Sequence, residues 1–266
     1  MRQRIARADG RRLFGAGAEA YDRARPGHAD AVYEILAEHC GLEPGAKVLE
    51  IGPGTGQATR HLLERGADPL VALEPDPALA AFLQHRFAER IEIRPFALEA
   101  AELGEDFDLA AAASSFHWID ERVGLERIHG ALRPGGSVAL WWTLFGDSSR
   151  DDRFRDAVDP LMSALPLSPS HPERDGPPYA ADERARVAGL EAARFEEIAV
   201  HRLEWAHTWD AHGTRDLFGT FSPVLALPPA EREALLDDIA NMAETQLGGR
   251  MTRPLVTALY TARRPS

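Results

Sequence analysis

The stretch from Val48 to Asp76, VLEIGPGTGQATRHLLERGADPLVALEPD, constrains the fold more than any other part of this 266-residue chain. An apolar run precedes three glycines within five positions, and an amphipathic segment then leads to a second apolar run that ends at Glu74. This order predicts a strand, a tight turn, a helix and a second, parallel strand. Glycine is needed where φ is positive or where a Cβ would block a ligand or a packed helix. The stretch therefore predicts a βαβ unit with a ligand close to its turn.

Strands and helices are predicted to alternate along the chain around this unit. The seven predicted strands are 46–51, 69–74, 91–96, 107–114, 137–143, 195–205 and 255–264. Continuous apolar strands that alternate with helices are typical of a doubly wound parallel sheet. We therefore predict an α/β fold, with a mostly parallel seven-stranded sheet and a small cap.

The predicted domain organisation follows from where this alternation stops. We expect an N-terminal arm and lid at 1–30, a cofactor-binding core at 31–146, a cap insertion at 147–190, and strands and helices at 191–266 that complete the core and the substrate pocket. The cap segment is rich in Pro, Asp, Arg and Ser, which makes it too irregular for a sheet. The first twelve residues hold five arginines and no apolar core, which predicts a mobile basic arm rather than a targeting signal.

Composition disfavours several classes of partner. The single cysteine, Cys40, allows no internal disulfide and no cysteine-built zinc site, and it fits a reducing cytoplasm. A formal net charge of −12 argues against a nucleic acid that is bound through its phosphates. No apolar run approaches the roughly 20 residues of a membrane helix. We therefore expect a cytoplasmic monomer or homodimer that acts on a small molecule, without a metal, nucleic-acid or membrane partner.

The spacing of the glycines indicates which cofactor the turn binds. Gly52, Gly54 and Gly56 follow G-x-G-x-G, whereas the dinucleotide fingerprint G-x-G-x-x-G has its third glycine one position later. Glu50 lies just before the turn, so an anionic pyrophosphate is disfavoured there. Glu74 ends the second strand, where a carboxylate can accept hydrogen bonds from a ribose diol. An adenosine with a zwitterionic methionine tail fits these groups, which indicates S-adenosylmethionine.

Five motifs resemble those of class I S-adenosylmethionine-dependent methyltransferases. They are YDRARPG, VLEIGPGTGQ, VALEPD, SSFHWID and ALRPGGSVALWW, and they cover about half the chain. FHWID and ARPG resemble a narrower branch of small-molecule enzymes, the methyltransferase type 11 and trans-aconitate methyltransferase-like proteins. The resemblance implies in-line methyl transfer from S-adenosylmethionine to a small molecule, at a hydroxyl or carboxylate oxygen.

The chain departs from the pattern of this branch at two places. His28 and Ala29 replace an aromatic residue and a proline in RPGYP. The third strand lacks the aspartate that often holds the adenine amine, so the backbone groups of Ala97 and Leu98 are expected to bind adenine, with Glu99 as a further side-chain partner.

The resemblance also assigns cofactor-binding residues. They are Tyr21, Arg25, Glu50, Gly52, Pro53, Gly54, Gly56, Glu74, Pro75, Ala97, Leu98 and Ser114. Tyr21 and Arg25 are expected to close over the methionine end, with the guanidinium near its carboxylate. A packing tyrosine and a surface arginine are the alternatives.

The end of the fourth strand, SSFHWID, is expected to face the transferable methyl group. His117 is the predicted catalytic base, because an imidazole titrates near neutrality; a histidine that only packs in the pocket wall is the alternative. Phe116 and Trp118 are predicted to line the substrate pocket, unless one of them belongs to the core. His28 is also predicted to line it, against the alternative of an exposed histidine. Because correct positioning alone contributes roughly 7–11 kcal/mol, a dedicated base is optional.

Three other function classes remain open from sequence. A nicotinamide-dependent oxidoreductase shares the sheet, but the glycine spacing and the lack of a Tyr-x-x-x-Lys pair count against it, since Lys47 is the only lysine. An amino-directed nucleic-acid methyltransferase usually carries an Asn/Asp-Pro-Pro-aromatic run to grip a flipped base, where this chain has SSFHW. A non-catalytic protein that binds S-adenosylmethionine is not excluded, because methyl transfer requires no particular catalytic residue.

Overall fold

The computed structural model describes residues 4–146, 152–173 and 176–266, and one sheet dominates them. Its strands are β1 Ala46–Ile51, β2 Ala67–Leu73, β3 Glu92–Arg94, β4 Phe107–Ala113, β5 Leu132–Leu144, β6 Glu196–Asp210 and β7 Arg250–Arg263. They lie in the order β3-β2-β1-β4-β5-β7-β6. β7 is antiparallel to both of its neighbours, and every other pair is parallel. The predicted seven-stranded, mostly parallel sheet is confirmed.

Helices cover both faces of the sheet and one of its ends. They are α1 Arg7–Arg11, α2 Ala18–Ala24, α3 Asp30–His39, α4 Gln57–Glu64, α5 Pro77–Phe87, α6 Glu121–Ala131, α7 Arg153–Met162, α8 Glu183–Ala192, α9 Ala211–Phe218, α10 Ser222–Leu225 and α11 Pro229–Leu247. Strand side chains alternate between the two faces, so Val48 packs in the apolar cluster with α3, α4 and α5, while Leu49 packs in the cluster with α6 and α8. Burial on both faces explains why the strands are apolar throughout.

The cap is built from two separate segments, which differs from the prediction of one insertion at 147–190. A third apolar cluster joins α7 to α9, α10 and α11, through residues such as Phe154, Phe218 and Ile239. Helix α8 instead packs against α6 and β6 and belongs to the sheet layers. The long β6–β7 ladder runs from Asp210 opposite Arg250 to Glu196 opposite Arg263. The helices α9–α11, which connect these two strands, therefore lie in the cap. Residues 147–151 and 174–175 of the predicted cap lie outside the described residues.

The N-terminal arm, predicted to be mobile, is docked on the strand ends. Arg11 pairs with Glu99 at 2.5 Å and donates from Nη2 to the carbonyl of Trp118 at 2.7 Å. Gly10 lies so close to the Trp118 ring that a Cβ there would overlap it. These contacts join residues about a hundred positions apart, which local sequence patterns do not reveal.

Two negative findings hold for the described ranges. None of their helices has the length and apolarity needed to cross a membrane. Within these ranges, no group of three or more His, Cys, Asp or Glu side chains is arranged to bind a metal ion.

Candidate active site

A pocket lies at the carboxyl ends of β1, β2, β4 and β5, beneath α1 and α2. We call its two regions the loop end and the cap end. The loop end is formed by residues 52–54, Glu74 and residues 97–99, and the cap end by Arg25, His28, Thr143 and Phe145. Ligands of open α/β sheets bind at this edge, outside the carboxyl ends of the strands.

Most of the residues predicted from sequence line this pocket. They are Tyr21, Arg25, His28, Gly52, Pro53, Gly54, Glu74, Pro75, Ala97, Leu98, Ser114 and Trp118. Ser114 has a φ of 53°, a strained conformation for a residue with a side chain, and its N–H donates to the Trp141 carbonyl at 2.8 Å. Such strain is often found at functional sites.

Two positions of the loop, 54 and 56, are glycine for different structural reasons. Gly54 has a φ of 60°, and no heavy atom lies within 4 Å of the position that a Cβ would take, so its backbone is open to the pocket. Gly56 has a φ of 82° and is the N-cap residue just before α4, where a Cβ would overlap the Phe87 ring. Gly56 does not line the pocket. The cofactor-binding role predicted for Gly56 is therefore replaced by helix packing.

The Glu74 carboxylate lies at the loop end and is hydrogen-bonded to backbone groups through both of its oxygens. Its Oε2 accepts a hydrogen bond from the Gly54 N–H at 3.1 Å, and its Oε1 accepts one from the Asp76 N–H at 2.9 Å. Burial raises the pKa of this carboxyl to about 7, although both N–H donors oppose the shift. A carboxylate has about four acceptor sites, so Glu74 keeps capacity for hydroxyl donors in the pocket.

Glu50 was also predicted to bind the cofactor, but it does not line the pocket. It is 1% exposed, and its Oε2 accepts a hydrogen bond from the Thr59 hydroxyl at 2.7 Å. Its Oε1 has no partner among the described residues. Burial raises the pKa of Glu50 to about 8. Side chains alternate along β1, so Ile51 reaches the pocket while Glu50 lies inside the protein.

The Glu50→Gln variant is expected to flatten the pH dependence of stability. The folded protein holds the Glu50 proton up to about pH 8, whereas the unfolded chain releases it near pH 4.5. The preference of the folded state for this proton therefore stabilises the fold fully below pH 4.5, and the stabilisation is lost as pH rises through 8. The Tm of the variant relative to wild type should rise by roughly 10 °C between pH 5 and 9. Thermal unfolding checks this, with exposed Glu102→Gln as control; parallel curves for wild type and Glu50→Gln would contradict it.

His117, the predicted base, lies behind the pocket wall and not in it. Its Nδ1 accepts a hydrogen bond from Trp142 Nε1 at 3.0 Å, and its ring packs beside Trp118 and Tyr179. Burial lowers the pKa of His117 to about 3, so the ring is neutral. This placement matches the alternative of a packing histidine and does not support a base that reaches the acceptor. Residues 116–118 form a 3₁₀ turn, which leaves Phe116 in the core and turns Trp118 toward the pocket.

His28 faces the cap end, where the sequence also allowed an exposed histidine. Its Nδ1 lies 3.4 Å from the Thr143 hydroxyl, and its ring meets Trp141 edge to face at 5.8 Å. Burial, with His61 and Arg25 nearby, lowers the pKa of His28 to about 4. His28 is therefore a neutral hydrogen-bonding group at physiological pH.

Comparisons with known proteins agree with this geometry. A family profile described as a methyltransferase domain matches residues 49–138. A protein of Mycobacterium tuberculosis named as an uncharacterized methyltransferase is 28% identical over 234 residues, which are 87% of this chain and 86% of the relative. These similarities support a class I S-adenosylmethionine-dependent methyltransferase.

Solved structures show the same fold as this methyltransferase. A protein of Anaeromyxobacter dehalogenans described as a type II methyltransferase matches 91% of this chain and 98% of its own, with 23% identity and a TM-score of 0.62. Phosphoethanolamine N-methyltransferase 2 of Haemonchus contortus, solved with phosphomonomethylethanolamine and S-adenosylhomocysteine, matches 98% of this chain with 14% identity and a TM-score of 0.60. The chain spans 61% of that structure.

The loop end of this methyltransferase fits S-adenosylmethionine. The backbone at Gly54 is open to the pocket, and Glu74 beside it has spare acceptor capacity for hydroxyl groups. Ala97 and Leu98, which the sequence predicts to bind adenine, also line this end.

Sequence reasoning missed several residues of the enzyme's pocket. They are Arg11, Phe14, Pro26, Gln57, Leu79, Ser115, Ile119, Thr143 and Phe145, among others. Thr143 and Phe145 could have been found, because Thr143 ends the fifth predicted strand and Phe145 lies two residues after it. Arg11 and Phe14 carried no signal, since the arm reaches the pocket only through tertiary contacts.

Proposed function

We propose that this methyltransferase transfers the methyl group of S-adenosylmethionine to a hydroxyl or carboxylate oxygen of a small molecule bound at the cap end. The observation that supports this most is the continuity of the pocket, which joins the glycine loop and Glu74 to the cap end. When bound, the cofactor supplies a methyl group that its sulfonium already activates.

At the loop end, the chain's own residues bind and orient the cofactor. Glu74 accepts hydrogen bonds from the ribose hydroxyls, and the open backbone at Gly54 permits close approach of the methionine end. The backbone groups of Ala97 and Leu98 bind the adenine. Arg11, which pairs with Glu99 over this end, ties down the arm that covers the pocket.

Aromatic side chains that cover the pocket take the place of a dedicated catalytic group. Phe14 packs edge to face against both Tyr21 and Trp118, with ring centroids 5.8 Å apart in each pair. This aromatic cover excludes water and limits the orientations of the acceptor. Positioning of this kind contributes roughly 7–11 kcal/mol to a reaction between two bound groups.

The charges at the cap end favour oxygen over a cationic amine as the acceptor atom. The side chains there include the Arg25 guanidinium and the neutral imidazole of His28, whereas the pocket carboxyls Glu74 and Glu99 lie at the loop end. An ammonium group would meet a like charge without a counter-ion. A carboxylate acceptor arrives already ionised and needs no base, and a hydroxyl acceptor can donate its hydrogen bond to His28.

A methyl-transfer assay tests this proposal. The purified protein with S-adenosylmethionine is offered carboxylic acids, phenols, alcohols and primary amines, and methylated products are identified by mass spectrometry. We expect S-adenosylhomocysteine release with at least one oxygen acceptor. Methylation of amines alone would overturn oxygen transfer. Cofactor binding without turnover on any acceptor would favour the non-catalytic alternative, and stabilisation by NADH instead of S-adenosylhomocysteine would favour the oxidoreductase.

A further inference from the structure

β6 is an edge strand of the sheet, and it is long. It has 15 residues, whereas β3 at the opposite edge has 3. A strand of a globular protein usually has about 5–6 residues. Within the described ranges β7 is the only strand that pairs with β6, so the other side of β6 presents backbone N–H and C=O groups to which no strand there is hydrogen-bonded. Such an edge is a template for pairing with a further strand.

β6 has few of the features with which proteins block a sheet edge. Proline, lysine, β-bulges and short length serve this purpose. The strand sequence EEIAVHRLEWAHTWD contains no proline and no lysine. Its ladder with β7 is irregular between Glu196 and Ala199 and regular from Ala199 to Asp210. A partner strand can therefore pair with this regular part.

Two charged side chains near the middle of β6 restrict which strand can pair with it. Arg202 and Glu204 are 43% and 50% exposed, and Arg202 Nε lies 3.7 Å from Glu204 Oε1, so both lie on one face of the strand. Like charges directly opposite them on a partner strand are destabilising, and opposite charges are stabilising. When two copies of β6 pair antiparallel with Leu203 opposite Leu203, each Arg202 lies opposite the Glu204 of the second copy. The strand is therefore complementary to itself in this register.

The neighbouring registers of the same pairing are unfavourable. Paired side chains must lie on the same face, so the register changes only in steps of two residues. A register centred on Arg202 places two arginines opposite each other, and one centred on Glu204 does the same with two glutamates. The register centred on Leu203 also places Val200, which is 37% exposed, opposite Ala206. Its ladder lies within the regular part of the strand, over residues 199–207.

We propose that β6 pairs antiparallel with the β6 strand of a second copy of this chain, with Leu203 at the two-fold axis. The ladder over residues 199–207 provides about 8–10 backbone hydrogen bonds, which is close to the number in a typical protein interface. Antiparallel pairing reverses the strand direction, so the two pockets open at opposite ends of one continuous sheet. β6 does not line the pocket, so the inference is independent of the proposed function.

Sedimentation equilibrium of the full chain tests the pairing by charge reversal. Wild type is expected to dimerise with a Kd of about 100 μM or less. Arg202→Glu and Glu204→Arg each place like charges opposite one another twice, so each should weaken dimerisation about tenfold or more. The two substitutions together restore opposite charges, and the Kd should return to within about threefold of wild type. The matched control is Arg122→Glu, which reverses an exposed arginine that pairs with Glu126 on α6 and should leave the Kd unchanged.

Disulfide formation tests the register itself. Val200→Cys combined with Ala206→Cys brings thiols of the two copies opposite each other, within the Cα separation of about 4.4–6.8 Å that a disulfide needs. Mild oxidation should therefore give a covalent dimer. Val200→Cys alone leaves its two thiols about 20 Å apart along the ladder and should give none. The native Cys40 is buried and should not interfere.

The outcomes of the two experiments are read together. A wild-type dimer that each charge reversal weakens, that the combined reversal restores and that the cysteine pair captures supports the proposal. A monomeric wild type overturns it, and so does a dimer that neither reversal weakens, because such a dimer uses another surface. A combined reversal that dimerises no better than the single ones, or a cysteine pair that forms no covalent dimer, overturns the register. Circular dichroism of each variant separates loss of the dimer from loss of the fold.

Discussion

Glu74→Ala is expected to weaken the binding of S-adenosylhomocysteine at least about a hundredfold. Each hydrogen bond to a charged group contributes roughly 1.5–3 kcal/mol, and a carboxylate at this position accepts two from a ribose diol. The variant also removes the acceptor of the Gly54 and Asp76 N–H groups, so the loop loses part of its support. Titration calorimetry measures the affinity directly.

The matched control is Glu105→Ala, which removes an exposed carboxylate from the loop before β4. It should leave the affinity unchanged. Glu74→Gln keeps one acceptor oxygen, so its affinity for S-adenosylhomocysteine should lie between those of wild type and Glu74→Ala. Unchanged affinity in Glu74→Ala, with the fold intact by circular dichroism, would mean that the ribose is bound elsewhere.

The loop end could be predicted from sequence because its residues are local and their order is informative. Gly52, Gly54 and Glu74 occupy the turn and the end of the next strand, so the βαβ unit alone brings them together. The same local pattern predicted that Glu50 and Gly56 bind the cofactor, but neither residue lines the pocket. Whether Glu50 faces the ligand depends on the pleat of β1, and whether Gly56 serves a ligand or a helix depends on Phe87, which belongs to α5.

The cap end could be predicted only in part, because it is assembled from distant segments. The sequence assigns Arg25 to the cofactor but gives no sign of its side-chain contacts with Thr220 and Phe221, nearly two hundred positions away. His117 sits in a motif that suggests catalysis, yet a 3₁₀ turn directs it to Trp142. The second segment of the cap was not predicted, because an apolar cluster, and not a strand or helix pattern, joins α7 to α9–α11.

Breaking the buried ion pair between Asp152 and Arg253 is expected to destabilise the protein by roughly 3–5 kcal/mol. The two side chains are 5% and 6% exposed, and Asp152 Oδ2 lies 2.9 Å from Arg253 Nη2. Asp152 Oδ1 also caps α7, accepting from the Phe154 and Arg155 N–H groups at 3.1 Å. Burial opposes ionisation of Asp152, but the Arg155 N–H and Arg253 outweigh it and hold the pKa of Asp152 below its ordinary value.

Three variants separate the charge pair from the helix cap. Asp152→Asn keeps the cap, because asparagine caps a helix as well as aspartate does, but leaves Arg253 unpaired, so its Tm should fall by roughly 10 °C. Asp152→Ala loses both the ion pair and the helix cap, so its Tm should fall further. Asp152→Asn combined with Arg253→Met removes the unpaired cation and should recover much of the loss. Equal Tm values for Asp152→Asn and wild type would contradict the pair's role.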